Sequence, residues 1–386
     1  MTGSGSWRRH EIHRLQRPGV LAAGLCLLLV FTAGCLVPEY GVGRDILVFK
    51  VDAGGTEQWQ TVIDTGGDDS ATSIVQTADG GYIVGGEVLP WRGDQSYGIF
   101  KLDGDGSVVW NATGRGSPVS SVAKTTGGTI VAAGESGVRL LDPAGKVLES
   151  DVGADSTLQS VVGTADGGFV AAGTDGEDLL VLKRDRNLTE EWRKTYGTDR
   201  DVVKTIIQTS DGGYLVGGMT SLPNRNGSYV WLLRLNSSGD LIRNATLGSL
   251  PQYNTVAFMG EVPGGGYTVI YTNVTLEEVV FDREGNVLEE RTLNASAPIL
   301  KTADGGYVSG TVTYRSSSRF LILPDQVGVP HIMKLNADGL PEWDTELNTT
   351  FELTASAVSV IQTADGGYAL LVNRHDYPEV PRTEPA

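Results

Sequence analysis

Cysteine is almost absent from this 386-residue chain, because Cys26 and Cys35 are its only two, and both lie near the N-terminus. The rest of the chain therefore has neither a disulfide framework nor a cysteine metal site. Histidine is nearly as scarce: only His331 and His375 follow the N-terminal segment, neither has a partner at metal-ligand spacing, and no HExxH or GxSxG motif occurs. This composition argues against a histidine-dependent hydrolase. It leaves carboxylate chemistry open, since a glycosidase needs only two suitably separated acidic groups.

Excess positive charge is absent as well. The formal net charge is −17, and because the first 35 residues carry +3, the remainder carries about −20. Such acidity argues against nucleic-acid binding, and it favours the solubility of an exposed β-rich surface. No stretch beyond the N-terminal segment has an apolar period of 3.6 residues, so we predict an almost entirely β structure.

Glycine is abundant, with 52 residues, and much of it belongs to a motif that returns seven times. Each copy lies between two alternating apolar runs, which predicts a strand, a tight turn and a second strand. Successive copies are 40 to 61 residues apart, a period typical of solenoids and propellers. Five copies are intact, namely QTADGGY from Gln76, GTADGGF from Gly163, QTSDGGY from Gln208, KTADGGY from Lys301 and QTADGGY from Gln362; two are degraded, namely KTTGGT from Lys124, read as one residue short, and VPGGGY from Val262.

A second motif alternates with the first and also predicts a hairpin. An Asp or Asn begins its turn, as in FKLDGDGSVVW from Phe100, and Gly usually follows three residues later, where a positive φ closes a type I turn with a bulge. In the copy at Asp185 this glycine is replaced by Leu188, beside Asn187. Because Asn tolerates the left-handed conformation, we expect a shifted turn there. The DGDG sequence at Asp103 lacks the other ligands of an EF-hand, so we interpret it as an ordinary turn.

Each period thus holds four short strands, here named A and B around the first motif and C and D around the second. Four strands in such a period form a propeller blade. The chain begins with an unpaired C–D hairpin from Phe49 and ends with an unpaired A–B hairpin from Val360. If these hairpins complete one blade, the chain forms a closed all-β propeller of seven four-stranded blades. We place this single domain at residues 44–373, after a linker at 36–43 and before a disordered tail at 374–386.

Four tryptophans are expected to pack between adjacent sheets, because such contacts need large flat side chains. Each follows the Asp or Asn of a C–D turn by seven residues; they are Trp59, Trp110, Trp192 and Trp343.

The N-terminal segment has the layout of a secretion signal. Residues 1–17 are basic, residues 19–31 are apolar, and small residues lead to Cys35. The TAGC ending resembles the lipobox of prokaryotic lipoproteins, although Thr32 stands where Leu is usual; the resemblance implies lipidation of Cys35. The alternatives are an uncleaved membrane anchor at about 20–37 and a twin-arginine signal at Arg8 and Arg9. Because the arginines precede the apolar segment, we expect the propeller outside, at the outer face of the cytoplasmic membrane.

Asn-X-Ser/Thr sequons are more frequent after this segment than the roughly two or three expected by chance. The excess suits a glycosylated cell-surface protein and, together with the lipobox, points to an archaeon. The alternative is that Asn and Thr are simply favoured in exposed turns. The candidates are Asn111, Asn187, Asn226, Asn236, Asn244, Asn273, Asn294 and Asn348.

The longer B–C and D–A connections should lie together on one side of the ring, here called the loop face, if the A–B and C–D turns share the other. Inserts at 88–97, 221–228 and 314–330 would lie there. Binding residues concentrate in loops on a rigid scaffold, although each of these residues could equally be solvated loop. The binding candidates are Trp91, Tyr97, Tyr253, Asp69 and Asp201, and no residue is assigned to catalysis, a cofactor or a metal.

The alternation of an IxQTxDGGY strand pair with an LDxxGxxxW strand pair resembles the secreted DGGY-type propeller repeats of archaeal and bacterial surface proteins. LDGDGSVVW and VDAGGTEQW more distantly resemble the pyrroloquinoline-quinone-type repeats of quinoprotein dehydrogenases and of the lipoprotein of the outer-membrane assembly machinery. The likeness implies a propeller without specifying an activity, because these propellers host catalysts and scaffolds alike. Quinoproteins carry an adjacent cysteine pair that this domain lacks, so we expect no cofactor.

These observations favour a membrane-anchored, monomeric interaction module that binds a protein or a glycan through the loop face. The alternative is a secreted propeller enzyme, either a quinone-dependent dehydrogenase or an enzyme that acts on polysaccharide.

Overall fold

A computed structural model describes residues 43–90, 93–150, 156–176, 178–197, 201–221, 228–247, 255–272, 275–317, 325–348 and 354–375. These residues form strands and, within the described ranges, no helix. The strands in chain order are β1 (Arg44–Val51), β2 (Glu57–Ile63), β3 (Gly67–Gln76), β4 (Tyr82–Pro90), β5 (Ser96–Leu102), β6 (Val108–Arg115), β7 (Val119–Lys124), β8 (Ile130–Gly134), β9 (Gly137–Leu141), β10 (Val147–Ser150), β11 (Ser156–Gly163), β12 (Phe169–Asp175), β13 (Asp178–Arg184), β14 (Glu190–Tyr196), β15 (Val202–Gln208), β16 (Tyr214–Ser221), β17 (Ser228–Leu235), β18 (Leu241–Leu247), β19 (Thr255–Val262), β20 (Gly266–Thr272), β21 (Leu276–Phe281), β22 (Val287–Leu293), β23 (Ile299–Lys301), β24 (Tyr307–Ser317), β25 (Asp325–Leu335), β26 (Pro341–Glu346), β27 (Thr354–Gln362) and β28 (Tyr368–His375).

Seven antiparallel four-stranded sheets form the blades of a propeller, which confirms the predicted fold. Blades 1 to 6 take four consecutive strands each, from β3–β6 to β23–β26. Blade 7 has the order β2-β1-β28-β27, so both ends of the chain build it. The closing pair runs from Arg44 opposite His375 to Val51 opposite Tyr368. β28 thus continues two residues beyond the domain boundary expected at residue 373.

The hydrophobic core is divided among the interfaces between blades. The A strands of successive blades contact one another around the whole ring, so they form its inner wall. Seven apolar clusters each join two successive blades. In one of them, Val48 of blade 7 packs with Val84 of blade 1. Burial of apolar area therefore stabilises contacts between blades, and each blade depends on both neighbours.

The A–B turns share one hydrogen-bonding pattern. In blade 1 the Thr77 amide donates to the Gly81 carbonyl, and the Gly80 amide donates to the Thr77 carbonyl at 3.1 Å. Gly80 has a φ of 83°, a conformation that glycine adopts without a steric penalty. The same two bonds recur in the four other intact copies. The motif Asp also recurs in one role, since Asp79 accepts a hydrogen bond from the Gly81 amide.

The degraded copy at Lys124 keeps the full length of the turn, so the expectation that it is one residue short is wrong. Lys124 pairs with Ile130 just as Gln76 pairs with Tyr82. This register places Gly127 in the position of the motif Asp. The copy has therefore lost a side chain rather than a residue.

The C–D turns confirm the predicted type I turn with a bulge. In blade 7 the Asp52 carboxylate accepts hydrogen bonds from the Gly54 and Thr56 amides, both at 2.9 Å. The turn at Asp185 was expected to shift, and it does not. Leu188 itself adopts the left-handed conformation, with φ 67°, and its amide donates to the Asp185 carbonyl as a glycine would. The repeat geometry thus overrides the local preference of leucine.

A cation lies beneath five of the seven A–B turns, and it is buried in four of them and largely buried in the case of Arg234. In blade 3, Lys183 Nζ lies 2.8 Å from Asp166, 2.9 Å from Glu191 and 2.8 Å from the Arg184 carbonyl. Burial tends to raise the pKa of Asp166, but hydrogen bonds from Lys183 and Thr164 outweigh it and hold the pKa at about 2. The five pairs are Lys50–Asp365, Lys101–Asp79, Lys183–Asp166, Arg234–Asp211 and Lys334–Asp304.

The two degraded blades lack both members of this pair. In blade 2, Gly127 replaces the carboxylate and Leu140 stands in the position of the cation. In blade 5, Gly264 replaces the carboxylate and Val280 stands in the position of the cation. Because a buried cation is costly without a carboxylate, the two positions change together. The Asp of the DGGY motif therefore has a structural role.

Blade 5 contains a different buried carboxylate. Glu278 is fully buried and accepts hydrogen bonds from Thr268 and from Lys301 of blade 6, both at 2.7 Å. Arg291 and Tyr307 also donate to it. Burial tends to raise its pKa, yet these donors hold it at about 2. This network joins blades 5 and 6.

The prediction that tryptophans pack between blades is confirmed. The Trp59 ring meets the edge of Tyr82 in the next blade, with ring centres 5.5 Å apart, and its Nε1 donates to the Gly104 carbonyl at 3.0 Å. A Cβ atom at Gly106 would lie 2.5 Å from this indole, so the turn requires glycine for close approach as well as for its positive φ. Trp192 and Trp343 contact Tyr214 and Tyr368 of their next blades in a similar way.

Candidate binding cleft on the loop face

A cleft of about 310 Å³ opens between blades 1 and 2. Antiparallel strand order places the A–B and C–D turns at one end of each sheet, so the D–A and B–C connections lie at the other, as predicted. The cleft lies at that loop face, because both of these connections line it. Its lining consists of Arg115, Gly116, Ser117, Pro118, Val119, Ala132, Ala133, Gly134, Ser136, Gly137, Val138, Arg139 and Ser150.

The cleft exists because blade 2 is shorter than blade 1. β4 of blade 1 has nine residues, whereas β8 and β9 of blade 2 have five each and β10 has four. Gly134 pairs with Gly137, so only two residues connect β8 to β9. The loop-face end of blade 2 therefore stops short of its neighbour.

Arg139 is the charged group inside this cleft. It extends from β9 towards blade 1, and its guanidinium lies 3.6 Å from the centre of the Tyr97 ring. Within the described part of the chain, no carboxylate pairs with it. Burial lowers the pKa of Arg139, and the nearby Tyr97 opposes this effect. An arginine nevertheless stays protonated at physiological pH, so the cleft contains a half-buried positive charge.

The repeat shows that this arginine is exceptional. Arg139 pairs with Ala132 in the register in which Phe100 pairs with Val84 in blade 1. All six other blades have an apolar residue at this position, three residues before the Asp or Asn of the C–D turn; they are Phe49, Phe100, Leu182, Leu233, Val279 and Met333. Arg139 was not among the residues predicted from the sequence, although an alignment of the seven C strands shows that it is the charged exception.

Hydroxyl groups and a second arginine complete the cleft. The Ser117 and Ser136 hydroxyls lie 2.8 Å apart. Arg115 stands at the rim, where it is largely exposed and forms an ion pair of 3.3 Å with Asp94. The lining thus combines cations and small polar groups with small apolar side chains.

Three of the five predicted binding candidates, namely Tyr97, Asp69 and Asp201, lie within the described residues. Tyr97 borders the cleft through its contact with Arg139, and it is half-buried. Trp91 and Tyr253 lie outside the described residues. Asp69 and Asp201 are only 0% and 4% exposed, so they are buried side chains and not solvated loop residues. A binding role for the remaining candidates stays a prediction.

Asp69 has a clear structural contact. Its two carboxylate oxygens accept hydrogen bonds from the Thr65 amide at 2.6 Å and the Thr65 hydroxyl at 2.7 Å. These two bonds stabilise the connection between blades 7 and 1. Burial raises its pKa from the ordinary value of 3.8 to about 6; the Thr65 bonds oppose this effect, and the charges of Asp64 and Asp68 add to it.

Replacing Asp69 with Asn should remove a pH dependence of stability. Because the pKa is higher in the folded than in the unfolded state, the folded protein binds this proton more tightly. The free energy of unfolding should therefore fall as pH rises from about 4 to about 6, by up to ~3 kcal/mol from this group. Asp69→Asn keeps an acceptor for the Thr65 amide without the charge, so it should be as stable as the parent, or more so, at neutral pH. Urea unfolding on both sides of this window checks this; equal slopes in parent and variant would contradict it.

Asp45, Asp64 and Asp69 have carboxylate oxygens within 4.8 Å of one another. Asp45 also pairs with Arg374 of β28, and both oxygens of Asp69 already accept hydrogen bonds from Thr65. These contacts lie where the two ends of the chain meet. Because the Asp45–Arg374 pair joins β1 to β28, we assign Asp45 to closure of the ring.

His331 has partners that its sequence context did not reveal. Its Nε2 lies 2.9 Å from the Thr313 hydroxyl, and its Nδ1 lies 3.3 Å from Asp344. The three residues come from adjacent strands of blade 6, far along the ring from the cleft. The side chain of His375 lies outside the described part. The cross-strand contacts account for His331 as a structural residue of this sheet.

The structure places six of the eight sequons. Asn111, Asn187, Asn244, Asn294 and Asn348 are exposed. Asn236 is half-buried, and its side chain accepts hydrogen bonds from the Ser238 and Asp240 amides within the C–D turn. Asn226 and Asn273 lie outside the described residues. Glycosylation itself stays a prediction.

Comparisons with known proteins support the fold. No protein-family model matches the chain, and no curated protein matches its sequence significantly. Solved structures that are similar to it include Sqt1 from Chaetomium thermophilum (12% identity, 80% of this chain and 97% of that chain, TM-score 0.52) and PorZ, an essential bacterial surface component of the type-IX secretion system of Porphyromonas gingivalis (11%, 81% and 48%, 0.50). BamB from Moraxella catarrhalis is 13% identical over 78% of this chain and 99% of that chain, with a TM-score of 0.46. At such identities the likeness shows the fold alone.

No described helix is long and apolar enough to cross a membrane. The lipobox-like segment and Cys35 lie outside the described residues.

Proposed function

We propose that this protein is an extracytoplasmic binding module, anchored at the outer face of the cytoplasmic membrane, that holds a protein or a glycan at the loop face of its propeller. The N-terminal segment supplies the anchor, through a lipid on Cys35 or as an uncleaved span. The cleft between blades 1 and 2 carries the proposal, because Arg139 occupies it at a position that is apolar in every other blade.

The chemistry of the cleft favours binding over catalysis. Its lining, within the described residues, includes arginines, serines and glycines but no Asp, Glu, His or Cys. A serine acts as a nucleophile when a general base activates it, and carboxylates and imidazoles are the usual bases. A ligand can be held by charge and hydrogen bonds without them. PorZ shows that a similarly folded protein serves at a bacterial surface, and the proposal is compatible with that example.

Native mass spectrometry of protein extracted gently from its own membranes tests the proposal. Ser136 is exposed in the two-residue turn beside the cleft, so an indole in Ser136→Trp would block the opening. The matched control is Ala144→Trp, on an exposed C–D turn of the opposite face. We expect wild type and control to retain a partner mass that Ser136→Trp loses, while all three keep the same N-terminal anchor.

Two results would contradict the proposal. A partner retained equally by all three proteins would place the binding site elsewhere, and a wild-type protein without any retained partner would argue against a binding module. The N-terminal mass separately distinguishes a lipidated Cys35 from an uncleaved anchor.

A further inference from the structure

Arg139 differs from the buried cations elsewhere in the propeller. Each cation beneath an A–B turn has a carboxylate within 3.0 Å, as Lys183 has in Asp166 and Lys334 has in Asp304. Arg139 has an aromatic ring instead. A half-buried charge loses hydration, and no carboxylate of the described residues compensates for this loss. An anionic ligand in the cleft would compensate for the lost hydration of Arg139.

The Tyr97 ring prepares Arg139 for such a ligand. A guanidinium that stacks on a ring keeps its N–H groups directed outward in one plane, because the ring occupies only its face. A planar fork of N–H donors matches the two oxygens of a carboxylate. The stacking also reduces the side-chain entropy that is lost when the ligand binds.

The remaining lining indicates what carries the carboxylate. Ser117, Ser136 and Ser150 provide hydroxyl groups that can donate and accept, and small glycines leave room beside them. The cleft lacks a large apolar pocket for the aromatic or aliphatic anchor on which most protein interfaces depend. Its volume of about 310 Å³ is at the small end of ligand sites. These features fit a hydroxyl-rich molecule of one or two rings.

We propose that the cleft binds an acidic sugar, with the carboxylate of a uronic acid residue paired with Arg139 and its hydroxyls bonded to the serines. This inference rests on the proposed function and names the ligand class of the same site. Arg115 at the rim is a second cation, already paired with the exposed Asp94, in a protein whose overall charge is −17. In such a field, local cations determine where an anion approaches.

Calorimetric titration of the full chain with digalacturonic acid tests the inference. Arg139→Met removes the charge and retains a long apolar stem, and we expect it to weaken binding at least about tenfold, the effect of losing a charge-assisted pair. Arg139→Lys keeps the charge without the planar fork of N–H donors, so it should lose less affinity for digalacturonic acid than Arg139→Met does. Arg186→Met, at an exposed C–D turn of the opposite face, removes a charge of the same sign and should bind as wild type does. Thermal unfolding of each variant confirms that it is folded.

Two further ligands identify the anion. Neutral digalactose should bind far more weakly than digalacturonic acid; equal binding would overturn the role of the carboxylate. Galactose 6-sulfate carries a tetrahedral anion on the same ring, and Arg139-dependent binding of this sugar alone would overturn the uronate assignment. Uronate binding that Arg139→Met leaves unchanged would also overturn it.

The two proposals can fail separately. A partner that Ser136→Trp releases, together with a wild-type protein that does not bind digalacturonic acid, would retain the binding module and overturn the acidic-sugar ligand. Uronate binding that depends on Arg139, together with a membrane-extracted protein that retains no partner, would support the site and contradict the module's proposed role.

Discussion

A chain cut to residues 43–348 should fail to fold, whereas a circular permutant that keeps every strand should fold. The cut removes β27 and β28, so the β1–β2 hairpin loses its partner and the ring opens. An isolated hairpin is marginal in water, and the opened ring exposes sheet edges that favour aggregation. The apolar clusters on both sides of blade 7 also lose members, such as Leu371 on one side and Leu370 on the other.

The permutant begins at Thr354, joins His375 to Gly43 through a short glycine-serine linker, and ends at Asn348. This connection is feasible because Arg44 lies opposite His375 in the closing pair, about 5 Å away across neighbouring strands. We expect its free energy of unfolding to lie within ~1 kcal/mol of that of residues 43–375, since the native contacts are the same. Circular dichroism and urea unfolding of the three proteins check this. A cooperative transition in the 43–348 chain at the parent midpoint would show that closure is dispensable.

Replacing the buried Lys183 with Met should cost about 2–3 kcal/mol of unfolding free energy. The change leaves Asp166 and Glu191 close together without their shared cation, and the Arg184 carbonyl loses a donor. Both carboxylates are about half exposed and can regain water, so the cost stays below that of a fully buried pair. Thermal unfolding should show a midpoint several degrees lower. Lys146→Met, at an exposed C–D turn, is the control and should change neither quantity.

A double variant tests whether the cation and the motif Asp depend on each other. Lys183→Leu with Asp166→Gly copies the Leu140 and Gly127 found in blade 2. Part of the loss caused by the single variant Lys183→Leu should be recovered, with a coupling of about 1–2 kcal/mol between the two sites. Strictly additive losses in a double-mutant cycle would show that the pair is not the unit of stabilisation.

Much of the fold could be predicted because its signals are local. Alternating apolar residues and turn glycines lie within a few positions of one another, so their spacing alone predicts hairpins. The two unpaired hairpins, from Phe49 and Val360, then predict the closing blade. Details that depend on the repeat as a whole were missed: the copy at Lys124 has its full length, and Leu188 adopts the conformation of the glycine that it replaces.

The candidate site was predicted only in part. The strand order predicts that the site lies on the loop face of the propeller. Tyr97 was also among the predicted binding candidates. Asp69 and Asp201 were predicted as binding candidates on the D–A loops, and both side chains are buried. The position of a residue in a connection does not reveal how far its side chain turns inward. Arg139 is recognisable as an exception only when the seven C strands are aligned. Its proposed role in binding also depends on its contact with the Tyr97 ring of the neighbouring blade, which the alignment does not show.

The sequence by itself determined the β class, the strand pairs, the number of blades and the way in which the ring closes, because each follows from residues that are close along the chain or from the repeat. Only the tertiary structure decided that the Asp of the DGGY motif pairs with a buried cation and that blade 2 is shorter than blade 1 at the loop face. It also decided that Arg139 lies in the resulting cleft without a carboxylate partner among the described residues. These properties arise between strands and between blades. Contact and burial there depend on the register and length of separate elements, which local patterns do not encode.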